Sequence, residues 1–339
     1  MTMKKALLLL VWVLVVALLG GCGGKTEKEV VIYTPVDREF AEPILKDFEN
    51  ATGIRVKALY DIEAAKGAGL TNRLLAEKPN PRCDVWWNSE FARTQVLKDA
   101  GVLQPYRSPS ADDVPGQFKD PDGCWTGYAV RARVIIYNTR LVRRADAPTS
   151  ILDLADVKWR GEVGFPNPAF GTASAHCAGL FLELGDMKAK DFFQRLRRNK
   201  IVICPGNAHV RDRVAGGDLA IGVVDTDDAN VAIERGQPLG MIFPDQRGMG
   251  AFVIPNTVAI IKACPHPEAA KKLVDYLLSR EVEAKLAASA SAQIPVRSGV
   301  KPPKRMPALG QFKASKVDYV AVSHKMAEAN RHLTEVLVR

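Results

Sequence analysis

Five carboxylates stand where this chain's apolar runs give out, and they carry most of its potential for chemistry. Asp225, Asp227 and Asp228 follow AIGVV (220–224), Asp37 follows VVIYT (30–34), and Glu90 lies just beyond CDVWWN (83–88). Carboxylates crowded together repel, and some must take up protons unless a cation arrives. A hard cation such as iron(III) or calcium suits oxygen ligands of this kind. An ammonium group could instead sit among the acids, with a phosphonate or carboxylate of the same molecule held elsewhere. Gly171-Thr172-Ala173 opens a helical stretch, and the free backbone N–H groups of a helix start hold anions. A structural use is also open: acids at residues 225–228 favour the N-terminus of the helix that follows.

These residues share a context. VVIYT is a short β-branched run, apt for a buried strand. Phe40, Ile44 and Phe48 then recur at a spacing of four, Pro43 falls near the first turn, and Gly53 ends the helix. IRVKALY (54–60) alternates, Leu70, Leu74 and Leu75 resume helical spacing, CDVWWN is a second buried strand, and 92–106 reads as a helix ending at Gly101. This β-α-β-α-β order predicts a parallel sheet faced by helices. A second α/β unit follows. Residues 129–142 read as a long strand, 163–168 as a strand and loop, and 171–185 and 187–199 as helices. IVIC (201–204) leads into a loop and helix, 219–229 is a strand ending in acids, and 251–261 is strand-like again. Residues 265–286 predict one amphipathic helix with Ala269, Leu273, Tyr276 and Leu277 on one face.

Open parallel sheets bind ligands beyond the carboxyl ends of their strands. Five such ends carry short polar groups: Thr34 to Asp37; Asn88, Ser89 and Glu90; Gly171, Thr172 and Ala173; Asn207; and Asp225 to Asp228. Any one alone suits a turn or cap. Together, in two α/β units, they predict a cleft lined from both sides.

The front of the chain has the order of an export signal. Lys4 and Lys5 precede an apolar stretch from Ala6 to Gly21, shorter than the roughly 20 residues a spanning helix needs. Leu19-Gly20-Gly21-Cys22 resembles a bacterial lipobox. That resemblance implies cleavage before Cys22 and lipid on its thiol, with residues 1–21 as the leader and 22–29 as the tether. Losing Lys4 and Lys5 would take the net charge from +9 to +7. The basic runs RLVRR (140–144) and RLRRNK (195–200) read as solvated faces, and no basic-aromatic alternation points to nucleic acid. Beyond Cys22, the cysteines are Cys83, Cys124, Cys177, Cys204 and Cys264, with no Cys-x-x-Cys pair. Export permits disulfides, but the spacing assigns none.

The segments VVIYTPVDREFAEPILKDFENATGIRVKALYD, GLTNRLLAEKPNPRCDVWWNSE, AVRARVIIYNTRLV, PGNAHVRDRVAGGDLAIGVVDTDDA and ASAQIPVRSG resemble the family-1 extracellular solute-binding proteins of ABC importers, in the group that contains ferric-ion-binding proteins. The resemblance implies an α/β, two-lobed periplasmic-binding-protein fold of type II with the ligand between lobes joined by crossing strands. On that basis 30–125 with about 251–290 forms one lobe, and 126–250 with about 291–339 and the C-terminal helices forms the other. It implies a monomeric lipoprotein outside the inner membrane that delivers cargo to a permease and ATPase. In the iron-binding members two adjacent tyrosines hold the metal, and here that position falls on Asp227-Asp228. Glu90 matches the family carboxylate, so Glu90, Asp227 and Asp228 become the expected ligands for a metal cargo. Gly171-Thr172-Ala173 and Asn207 match the anion-holding segment. Apart from lipid on Cys22, no covalent cofactor is expected.

Closure around a hinge would be the mechanism, the ligand bridging both lobes and shifting the population to the closed form. An exported enzyme is the competing class, but the chain has no Gly-x-Ser-x-Gly elbow, His-Glu-x-x-His helix or phosphate loop, and its five histidines are scattered. A sensing or scaffolding lipoprotein of the same fold is the third.

Overall fold

A computed structural model describes residues 28–61 and 68–338. The leader, Cys22 and most of the tether lie outside the described residues. In chain order the main elements are β1 (Glu29–Thr34), α1 (Arg38–Thr52), β2 (Arg55–Tyr60), α2 (Ala68–Glu77), β3 (Val85–Asn88), α3 (Ala92–Asp99) and β4 (Leu103–Gln104). Then come β5 (Thr126–Asn138), β6 (Val163–Pro166), α4 (Gly171–Leu184), α5 (Asp186–Arg198), β7 (Val202–Cys204), α6 (Asn207–Gly216), β8 (Ile221–Asp225), α7 (Thr226–Glu234) and β9 (Leu239–Ile242). The chain ends with β10 (Val253–Ile261), α8 (Pro267–Leu277), α9 (Arg280–Ala288) and α10 (Tyr319–Leu333).

The strands form one curled mixed sheet in the order β2-β1-β3-β10-β5-β8-β6-β7, with β4 on β10 and β9 on β5. β1, β2 and β3 run parallel, as the sequence predicts, and so do β6, β7 and β8. β10 and β5 are antiparallel insertions between the two parallel sets. β5 joins them: residues 126–132 pair with β10, and residues 133–137 pair with β8. Its register with β10 shifts at Pro255/Asn256, opposite Ala129, whose φ of 41° is unusual for a residue with a side chain.

Burial follows the expected periodicities. β1 and β3 bury Val30, Ile32, Val85 and Trp86, while α1 turns Ala41, Ile44, Leu45 and Phe48 inward. Gly53 ends α1 in the left-handed conformation, its N–H donating to the Glu49 carbonyl. α6 packs directly against β8 because Gly222 has no side chain. A Cβ there would lie 2.4 Å from Val210 Cγ1, and this close approach sets Asn207 at the end of β8.

Two expectations need correction. Residues 265–286 form two helices, because Ser279 leaves helical geometry and caps α9 by accepting from Val282 N–H at 3.3 Å. Residues 92–106 hold a helix only to Asp99, followed by the short β4. Cys83, Cys124, Cys177 and Cys204 are free thiols. Burial pushes the Cys177 thiol up to about 12, so it stays a protonated packing residue rather than a nucleophile. No helix among the described residues is long and apolar enough to cross a membrane.

Candidate functional site

The ends of β6, β7 and β8 converge on one carboxylate. Asp225, fully buried at the end of β8, accepts from Thr172 Oγ1 (2.8 Å) at the start of α4 and from Asn207 Nδ2 (3.2 Å) at the start of α6. Arg133 Nη1 donates to its other oxygen at 2.7 Å, and Arg131 Nη1 approaches at 3.1 Å. Arg133 Nη1 also reaches Asn207 Oδ1 at 2.9 Å. Burying such charges is costly unless each is paired and hydrogen-bonded. Burial alone would raise the Asp225 carboxyl, but the charges of Arg133 and Arg131 outweigh it and hold it below the usual carboxylate range.

Asp227 and Asp228 lie in the first turn of α7, where acids favour the helix dipole. Asp228 N–H donates to Asp227 Oδ1 at 3.0 Å. Ligand-type oxygens of Asp225, Asp227 and Asp228 lie within 4.8 Å of one another. Burial, then the charges of Asp227 and Asp225, push the Asp228 carboxyl well above the usual range, with Arg211 and Arg131 only partly opposing. Arg211 Nη1 stands 3.8 Å from Asp228.

Arg131 links this cluster to the other half of the sheet. Its Nη1 faces Asp225 and, at 3.5 Å, Asp227, while its Nη2 donates to the Ser89 carbonyl at 2.5 Å. Ser89 directly follows β3, so one guanidinium spans the seam between the two parallel sets. The Asp37 carboxylate beyond β1 adds to the field that keeps Arg131 charged. Asp37, Ser89, Thr172, Asn207, Asp225, Asp227 and Asp228 thus bear on the Arg131–Asp225 centre, whereas Thr34 and Glu90 do not.

Those two are occupied locally. Thr34 Oγ1 accepts from Val36 N–H at 3.1 Å and shapes the turn into α1. Glu90 accepts from Ala92 N–H (2.5 Å), Arg93 N–H (3.0 Å) and Asn88 Nδ2 (2.9 Å). Its carboxylate is used to start α3, and Asn88 is used to hold it. Gly171 opens α4 with a φ of 54°, and Thr172 and Ala173 follow in its buried first turn. No tyrosine hydroxyl enters the cluster among the described residues. Tyr33 donates to Glu77 and Tyr106 to Asp275.

Arg131 and Arg133 are not among the site residues expected from the sequence. Two arginines at i and i+2 in an otherwise apolar run share one face of the strand. Charged residues inside a core strand require acid partners, and that was the available signal.

Similarity to known proteins agrees with this architecture. The family model described as "Bacterial extracellular solute-binding protein" matches residues 92–322. The iron uptake protein A1 of Synechocystis sp. is 27% identical over 323 residues, covering 91% of this chain and 87% of that protein. The crystal structure of iron-bound HitA from Pseudomonas aeruginosa superposes with a TM-score of 0.82 at 23% identity, covering 90% of this chain and 99% of that one. The periplasmic binding protein AfuA from Actinobacillus pleuropneumoniae, with fructose-6-phosphate bound, gives a TM-score of 0.78 at 22% identity, covering 91% and 98%.

Proposed function

Because the chain belongs to the family of bacterial extracellular solute-binding proteins, we propose that it captures a small solute in the seam spanned by Arg131 and delivers it to the permease of an ABC importer. The observation that carries this is the Arg131 bridge, which ties Ser89 of one parallel strand set to Asp225 and Asp227 of the other. A solute at that point touches both halves and rewards closure. One lobe takes residues 30–125 with about 251–290, the other 126–250 with about 291–339 and the C-terminal helices; Arg297, whose partners are Asp113, Ser110, Glu283 and Leu278, argues for extending the first lobe to residue 297. Cys22 carries the lipid, and residues 22–29 form the tether. The protein works as a binding protein, without turnover.

Two cargo classes have support. The Synechocystis relative is an iron uptake protein, and the aspartate trio offers oxygen ligands within 4.8 Å. The fold also accommodates a sugar phosphate in AfuA, and here the starts of α4 and α6 meet at Arg133. The ligand groups are Asp37, Ser89, Gly171, Thr172, Ala173, Asn207, Asp225, Asp227 and Asp228. Asp227→Ala with Asp228→Ala should weaken solute binding at least tenfold while moving the empty protein's stability by no more than about 1 kcal/mol, as for partly exposed ion pairs. Thermal-shift titration against a solute library checks both. Unchanged affinity would move the site elsewhere.

A further inference from the structure

We infer that Arg131 is a built-in counter-ion that closes the aspartate trio to metal ions, so that the cargo is a metal-free solute bearing an oxyanion group. This rests on the solute-binding reading and names the cargo class of that same seam.

Charge balance leads to it. Arg131 and Arg133 face Asp225, Arg131 also faces Asp227, and Arg211 faces Asp228. Arg131 and Arg133 thus set two guanidinium charges directly against the trio, and Arg211, which also pairs with Asp212 at 2.8 Å, adds a shared third, so most of the trio's negative charge is already offset. Hard cations hold to sites whose oxygens bring net negative charge. Position makes the same point. Arg131 Nη1 lies 3.1 Å from Asp225 and 3.5 Å from Asp227, where a cation shared by those oxygens would have to sit. An independent feature concerns the arginines themselves. Arg131 is 8% exposed and Arg133 0%, yet the Nε of each has no hydrogen-bond partner. Buried donors of this kind normally find an acceptor. On Arg131 that donor belongs to the side chain already touching both halves. An oxyanion oxygen complements the open Nε donor, and the starts of α4 and α6, where backbone N–H groups favour anions, converge on the same Asp225.

The test uses the mature wild-type protein, Arg131→Gln and Arg131→Lys. Terbium(III) is titrated by luminescence, and inorganic phosphate by thermal shift. Wild type and Arg131→Lys should bind terbium no tighter than millimolar, whereas Arg131→Gln should gain at least tenfold. Phosphate should raise the wild-type midpoint and raise that of Arg131→Gln less. Micromolar terbium binding by wild type, lost in Asp227→Asn, would overturn the inference, as would no gain in Arg131→Gln. If Arg131→Gln does not fold, the wild-type titrations decide: terbium exclusion with phosphate stabilisation supports it, and micromolar terbium binding refutes it. Terbium binding by wild type would leave the importer reading standing. Failure of that reading, with no solute causing closure, would leave terbium exclusion intact.

Discussion

Glu283→Ala is expected to cost the folded protein about 3–5 kcal/mol, the usual penalty for breaking a buried ion pair by removing one partner. Glu283 is fully buried on α9 and accepts from Arg297 Nη1 at 2.9 Å, Val296 N–H at 2.7 Å and Ala129 N–H at 3.0 Å. Its loss strands the Arg297 charge beside only Asp113, at 2.7 Å, and backbone carbonyls. It also releases Ala129, the residue with positive φ opposite the register shift between β5 and β10. That pair of strands joins the two halves, so one side chain supports both the core and the crossing. In a thermal melt the midpoint should fall by on the order of 10 °C. Glu283→Gln, which keeps acceptors for the two backbone groups, should lose less. A drop of under about 1 kcal/mol for Glu283→Ala, too small for a buried pair, would show that Arg297 is adequately held without it.

Asp225→Ala should have a comparable effect on stability, about 3–5 kcal/mol, and should abolish solute binding as well. Four groups lose their common acceptor: Arg131, Arg133, Thr172 and Asn207. Unpaired donors in a buried site carry their full desolvation cost. The starts of α4, α6 and α7 also lose the group that fixes them relative to one another. Chemical denaturation measures the first effect and solute titration the second. Asp225→Asn, similar in size but uncharged, separates them: it should retain more stability than Asp225→Ala and still bind poorly. Full solute affinity in Asp225→Asn would show that the buried charge does not organise the seam.

Much of this centre was legible from residue types alone. The strand ends were marked by polar residues after apolar runs, and Thr172, Asn207 and Asp225 do meet. The hidden part was which polar groups serve the chain itself. Glu90 sits at a strand end like Asp225, yet its oxygens go to the N–H groups that begin α3. Cap and ligand look alike in sequence because both are acids before helices. Arg131 and Arg133 stayed hidden for the opposite reason: they lie within a strand, and their partners are 39–96 residues away in sequence, a pairing local periodicity does not encode. The same limit applies to β10, whose apolar run gives no sign that it enters antiparallel between β3 and β5. The helix break at Ser279 was readable in principle, since serine is a preferred N-cap, but the apolar face continues across it and masked the boundary.

The most direct test of the seam is native mass spectrometry, with metal analysis, of the protein purified from its own cells beside its Arg131→Gln variant. One small, metal-free oxyanionic adduct per wild-type chain is expected, with little or none on the variant. A stoichiometric metal ion on the wild type, or an adduct that the variant retains in full, would contradict this expectation.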